Sequence, residues 1–224
     1  MTKSTNLNFT QTFQNPTTVF VASDLLSVIA VSPSAVGSGS TTGTRTFTAA
    51  AGTLQTGGAA AAWTAAVTDG RVIGPCTITV PGSYLVTPTA TANPATVDSG
   101  TTTSTFNLRV EYYKVLYTAS ADDAVVKAIN ISSLDSAARV MSVWLVSSDS
   151  QPKLIGAVNI PLNAGNSGAI ATVDLLGGTL LPSLPYDANG KRVIPLKSGQ
   201  KLALSVPAIT AGTQIYASAF VEEY

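Results

Sequence analysis

In the second half of the chain, one short segment after another alternates apolar and polar residues. Within Lys201–Val206, Leu202, Leu204 and Val206 fall on one side of an extended backbone and Lys201 and Ser205 on the other. Residues 214–222 repeat the arrangement with Ile215, Ala217, Ala219 and Val221. A period of two sends alternate side chains to opposite faces of a pleated strand, so each segment can be dry on one face and wet on the other. The pattern predicts strands near 115–119, 124–132, 138–147, 153–162, 168–176, 192–196, 201–206 and 213–222. The polar breaks between them come at the spacing of a β-sandwich.

The first half is less regular. Phe106, Leu108, Val110 and Tyr112 alternate with Asn107, Arg109 and Glu111, which is its clearest strand. Residues 18–31 are apolar enough for one or two buried strands, and 45–51 and 59–67 are weaker candidates. The run Ala59 to Ala62 leaves a short helix open as an alternative. Asp69-Gly70 between two apolar runs predicts a hairpin. Residues 32–44 and 87–104 are rich in Gly, Ser, Thr, Ala and Pro without apolar period and read as exposed loops. Residues 1–17 are polar around Phe9 and Phe13. Pro16 lacks a backbone donor and biases Asn15 toward extended geometry. That segment is predicted to be an extended arm, with Phe9, Phe13 and Phe20 as candidate partner-binding anchors. The alternative is an N-terminal strand of the chain's own sheet. The expected fold is all-β: two antiparallel β-sandwich or jelly-roll-like domains behind an extended N-terminal arm. The arm is 1–17, the N-terminal β-domain 18–113 and the C-terminal β-sandwich 114–224.

Charge narrows the function. The 224 residues carry 12 basic and 12 acidic side chains, only 11% of the chain, so neither a basic nucleic-acid surface nor an acidic tail is present. Only Asp24, Asp69 and Asp98 are acidic before Glu111. Thirty Thr and 23 Ser supply polarity instead, and Thr combines β propensity with a polar tip. No stretch of 18 apolar residues suggests a membrane helix. The start Met1 to Asn6 has no apolar leader, so the expectation is synthesis in a reducing cytosol and delivery by assembly.

Candidate chemistry is sparse. With no histidine in the sequence, a Ser-His-Asp triad and a His-ligated zinc site are excluded. The single Cys76 has no partner for an intrachain disulfide and reads as a small buried hydrophobe. Asp122-Asp123 and Glu222-Glu223 are the only adjacent carboxylate pairs and read as a turn and a chain end. Asp187-Ala188-Asn189-Gly190 opens like a calcium loop but lacks its later carboxylates, so an Asn-Gly turn is the plainer account. The loop Gly37 to Gly43 lacks the lysine and spacing of a phosphate loop. Tyr112, Tyr113 and Tyr117 could form a sugar platform, although aromatic pairing between strands explains them more simply. No catalytic, cofactor or metal residues are assigned.

Several phrases resemble a β-sandwich module of accessory virion proteins in tailed bacteriophages. They are Val125-Val126-Lys127-Ala128-Ile129-Asn130-Ile131, Val143-Trp144-Leu145-Val146 and Ile160-Pro161-Leu162-Asn163-Ala164-Gly165. Leu196-Lys197-Ser198-Gly199-Gln200-Lys201-Leu202 and Ala219-Phe220-Val221-Glu222-Glu223-Tyr224 follow. The likeness covers roughly 113–224, with 180–190 as an apparent insertion. Thr77 to Val86 resembles a strand of jelly-roll heads in trimeric viral and C1q-like proteins. The resemblance implies a non-enzymatic component located in the virion. The leading expectation is a capsid decoration (cement) protein on the outer capsid surface, stabilising contacts between capsomers. Its partners would be the major capsid protein or other virion proteins and further copies of itself, a homotrimer being favoured, with neither nucleic acid nor membrane. The alternative is a tail, neck or fibre accessory protein that recognises the host surface.

Overall fold

The computed structural model describes residues 19–21, 26–120, 123–147, 152–166, 168–177, 180–210 and 213–223. Residues 1–17, including Phe9 and Phe13, lie outside the described residues. All the regular structure described is β, in antiparallel pairings, and no helix occurs among the described residues. The all-β fold expected from the alternation is therefore what the chain adopts. Two compact units form, one from residues 26–112 and the other from 113–223 together with a short N-terminal strand.

The first unit holds β2 (Leu26–Ala35), β3 (Gly43–Ala49), β4 (Thr53–Leu54), β5 (Ala62–Thr68), β6 (Arg71–Val80), β7 (Tyr84–Val86), β8 (Asn93–Val97) and the first half of β9 (Thr105–Thr118). Strand β2 pairs with β9, β9 with β8, β8 with β3, β3 with β5 and β5 with β6. The sheet then curls back on itself. Val28 N donates to Pro81 O at 2.8 Å and Val72 N to Val36 O at 3.0 Å, joining β2 and its following loop to β6 and its flank. Inside lie Val28, Phe47, Trp63, Val67, Val72, Tyr84, Phe106 and Leu108. Phe106 is the hub, 5.1 Å from Phe47 and 4.8 Å from Trp63 between ring centroids, both contacts tilted or edge-on as aromatic quadrupoles favour.

Asp69 and Gly70 close the β5–β6 hairpin with φ of +50° and +78°, the two positive values a two-residue primed turn needs. Ala59 to Ala62 is not helical: Ala62 opens β5. Two segments read as loops contain strand. Ser32 to Ala35 continue β2 against Thr105 to Asn107, with Ser34 Oγ and Thr105 Oγ1 sharing a 2.8 Å hydrogen bond. Asn93–Val97 is β8, whose apolar alternation shrinks to Ala95 and Val97 and whose buried polar Asn93 donates Nδ2 to Ala50 O and Thr89 O. Neither signature stands out in a Thr- and Ser-rich sequence.

These segments are also stitched together. Thr101 N donates to Gly39 O, Thr103 N to Ser38 O, and Ser104 Oγ to Val36 O at 2.8 Å. Gly37 sits here with φ of +62°, and a Cβ on it would lie 2.2 Å from Ser104 N, a backbone atom that cannot swing aside. Gly37→Ala is expected to cost about 1–3 kcal/mol. Gly57→Ala, with φ of +78° but open space around it, should show only the conformational part, about 1 kcal/mol. Denaturant midpoints of the two variants measure the difference.

The second unit contains β1 (Val19–Val21), the second half of β9, β10 (Ala124–Ser133), β11 (Arg139–Val146), β12 (Pro152–Ile160), β13 (Val173–Asp174), β14 (Ile194–Leu196), β15 (Lys201–Val206) and β16 (Gln214–Glu223). One sheet runs β1-β16-β10, with β13 and β14 pairing to different stretches of β10. The other runs β12-β11-β15-β9. Buried residues come from both: Val126, Ile129, Ile131, Ile215, Ala217 and Val221 from the first, Met141, Val143, Ile160, Leu202, Leu204 and Val206 from the second. Of the strand expected over 168–176, only Val173 and Asp174 pair. Asp174 caps the turn that follows, its Oδ1 accepting from Leu176 N. Strand β1 hydrogen bonds along β16, so residues 19–21 belong to this unit's sheet and not to the N-terminal domain drawn from 18.

Candidate functional site

Several of the described ionisable side chains hold the chain's own loops. Asp135 follows β10 and is fully buried. It accepts hydrogen bonds from Arg139 Nε at 2.8 Å, Thr210 Oγ1 at 2.6 Å, Thr210 N at 3.0 Å and Ala137 N at 2.9 Å. Its own carbonyl accepts from Asn163 N. The Asp135 carboxylate thus ties the β10–β11 and β15–β16 connections, and its backbone carbonyl adds the β12–β13 connection. Burial alone would raise its pKa. The hydrogen bonds from Arg139, Thr210 and Ala137 outweigh that and hold the carboxyl well below the usual range.

Lys127 on β10 makes a second knot, its Nζ 3.2 Å from Glu222 Oε2 and 3.5 Å from Asp187 Oδ2. Asp187 Oδ1 accepts from Asn189 N and Lys191 N, both at 2.9 Å, and Gly190 takes a φ of +72°. The Lys191 amide above all, helped by the Asn189 amide and the Lys127 ammonium, keeps the Asp187 carboxyl below its ordinary value against the opposing effect of burial. The segment therefore forms the turn expected of Asn-Gly, and its carboxylate already faces a cation. Asp123 is tied to Lys197 Nζ at 2.6 Å, and Glu223 accepts from the Tyr117 hydroxyl. No group of three His, Cys, Asp or Glu suited to a metal ion occurs among the described residues. Half-buried Cys76 on β6 has its thiol pushed up to about 11 by burial, far from a nucleophilic thiolate.

Several large apolar side chains, by contrast, stand exposed on the strands. Among the described residues strand β4 pairs only with β7, and on these two strands Leu54, Leu85 and Val86 are exposed, the last two at 57%. In the second unit Val140 and Leu154, on neighbouring strands, are half exposed, and Phe220 on β16 is 44% exposed. Sequence reasoning missed the β4–β7 edge because Leu54 sits alone in a Gly/Thr stretch with no alternation around it. Tyr186 was equally unmarked. It is exposed at a loop, and the Arg192 guanidinium lies 5.2 Å from its ring centroid. Of the predicted anchors, Phe20 lies in β1 opposite Ile215 in the chain's own sheet, while Phe9 and Phe13 fall outside the described residues. No protein-family model matches the chain, and no curated protein matches it.

Proposed function

We propose that this chain is a structural virion protein, a capsid decoration or cement protein that binds the outer capsid surface and stabilises contacts between capsomers. It works as a homo-oligomer, a trimer being favoured, against the major capsid protein or other virion proteins, and performs no catalysis. The observation that supports this reading is the division of labour in the side chains. Asp135, Lys127 and Asp187 lock the chain's own loops, while Leu54, Leu85 and Val86 stand exposed on neighbouring strands, fit for contact with another protein. The phrases in 113–224 that resemble phage accessory proteins point the same way. Many copies acting together allow each contact to be weak. Counting copies in purified particles by mass spectrometry tests the proposal. Dozens to hundreds are expected, and fewer than about twenty would remove the clamp its multivalent mechanism requires.

One observation favours a second reading, a tail, neck or fibre accessory that recognises the host surface. Tyr186 presents an exposed ring backed by Arg192, a face on which a sugar could stack. That reading requires saturable adsorption of the isolated protein to host cells, lost in Tyr186→Ala.

A further inference from the structure

Residues 185–193 form a hairpin, with Asp187 N donating to Lys191 O at 2.8 Å and Val193 N to Pro185 O at 3.0 Å. Tyr186 and Arg192 face each other across it as a bridged pair. Directly opposite residues share a face of a ladder, so the two side chains project together. The Arg192 guanidinium lies 5.2 Å from the centroid of the tyrosine ring. Their exposures differ sharply. Tyr186 is 61% exposed, whereas Arg192 is only 9% exposed.

Arg192 Nε and Nη1 are buried without a hydrogen-bond partner, and no carboxylate pairs with the guanidinium among the described residues. The nearest acid along the chain, Asp187, is already committed. Its Oδ1 accepts from Asn189 N and Lys191 N, and its Oδ2 faces Lys127. A guanidinium taken out of water is costly unless acceptors meet its donors. The face of a tyrosine ring attracts the charge but satisfies none of the N–H groups. The chain therefore holds a desolvated cation short of an acceptor, beneath an aromatic ring that stands in solvent. We propose that this pair binds a carboxylated sugar, the carboxylate on Arg192 and the sugar ring on Tyr186.

The chemistry of the two halves selects this class. A guanidinium gives a carboxylate charge-assisted hydrogen bonds in matched, parallel geometry. A tyrosine ring offers a flat apolar face that a pyranose covers with its C–H groups while its hydroxyls stay in water. A neutral sugar would leave the donors of Arg192 unmet, and a bare anion would leave the ring uncovered. Access comes from the tyrosine. Its hydroxyl has no hydrogen-bond partner among the described residues, and a side chain so exposed changes rotamer within nanoseconds. As the ring swings off the guanidinium, the carboxylate takes its place and the sugar settles against the freed face. The proposal names the ligand class of the Tyr186 site, and so rests on the second reading above.

The test titrates the full chain with trigalacturonate and with sialyllactose, each beside its methyl ester, which keeps the shape and removes the charge. At least one acid should bind saturably, and its ester at least about tenfold more weakly. Arg192→Met and Tyr186→Ala should each abolish that binding. Arg192→Met is also read without ligand. A buried cation that the protein leaves unpaired adds little to folding, so the melting temperature should rise or stay within about 4 °C of the natural value. A larger fall would show that the protein itself satisfies the guanidinium, and would overturn the proposal. Equal binding of acid and ester would overturn it too, yet leave Tyr186 a sugar-stacking residue. Binding of neither sugar would sink it, as would equal binding of a glutamate-rich peptide, which would assign the site to a protein partner. Host-cell adsorption that needs Tyr186 but not Arg192 would remove the carboxylate and keep the second reading.

Discussion

Phe106→Ala is expected to remove about 4 kcal/mol of stability from the 26–112 unit, close to the upper end for an aromatic truncated in a core. Phe106 is fully buried and touches both Phe47 and Trp63, so its loss opens a cavity and ends two aromatic contacts at once. A domain of this size holds roughly 4–13 kcal/mol in total, so the variant should sit at the margin of folding. The two tryptophans make the measurement selective, since Trp63 lies in this unit and Trp144 in the other. In a Trp144→Phe background, Trp63 fluorescence reports the first unit alone during urea unfolding. A loss below about 1.5 kcal/mol would mean that the neighbours collapse into the gap and that the aromatic cluster is not the keystone of this core. Trp63→Phe makes a useful contrast. The indole Nε1 is buried without a hydrogen-bond partner among the described residues. Phenylalanine there removes an unsatisfied donor as well as ring area, so its cost should be well below that of Phe106→Ala.

The sequence made the second unit far more legible than the first, for a physical reason. In β16 one face is buried and the other is more open. In β15 both faces are buried, but the large side chains keep to one of them, with Ala203 and Ser205 on the other. Leu202, Leu204, Val206, Ile215, Ala217 and Val221 therefore write the period of two directly into the chain. In the first unit the same geometry is built with Thr, Ser and Ala. Ala95 and Val97 on β8 are only partly buried and Ser32 and Ser34 on β2 lie exposed, so no apolar period marks either segment. Hydrogen bonds between hydroxyls and backbone, such as Ser38 N to Thr103 Oγ1, hold what apolar packing does not. Alternation also breaks at bulges. The register of β2 on β9 shifts between Val28 and Ala30, and beside that shift Glu111 is buried, with Arg109 Nε 2.5 Å from its carboxylate. Pattern alone would have placed Glu111 in water. The candidate surfaces were harder still to read. An exposed leucine at an edge looks in sequence like any other leucine, and only the pairing of β4 and β7 reveals that Leu54, Leu85 and Val86 are uncovered together. The Asp135 hub was invisible for a related reason, because Thr210 lies 75 residues further along the chain and reaches Asp135 only through the fold.

Asp135→Asn is expected to destabilise the second unit by about 3 kcal/mol near neutrality. That is the low end for breaking a buried ion pair, because Arg139 keeps some contact with water. Asparagine preserves size but offers one acceptor oxygen where two carboxylate oxygens now serve Arg139, Thr210 and Ala137. The effect should depend on acidity, and its direction follows from the depressed folded pKa. Folding favours the ionised carboxylate, so its contribution is complete above the unfolded value of about 3.9 and fades as pH falls toward the lower folded value. The stability gap between the natural protein and Asp135→Asn should therefore be constant near neutrality and shrink below about pH 4. Trp144 fluorescence, in a Trp63→Phe background, follows the transition of this unit. Asp123→Asn is the control, since it removes the same charge from an exposed pair with Lys197 and should move stability little. A gap for Asp135→Asn that persists unchanged into acid would show that the loss comes from altered packing of the β10–β11 and β15–β16 connections. A gap that closes would assign it to the charge that draws them together.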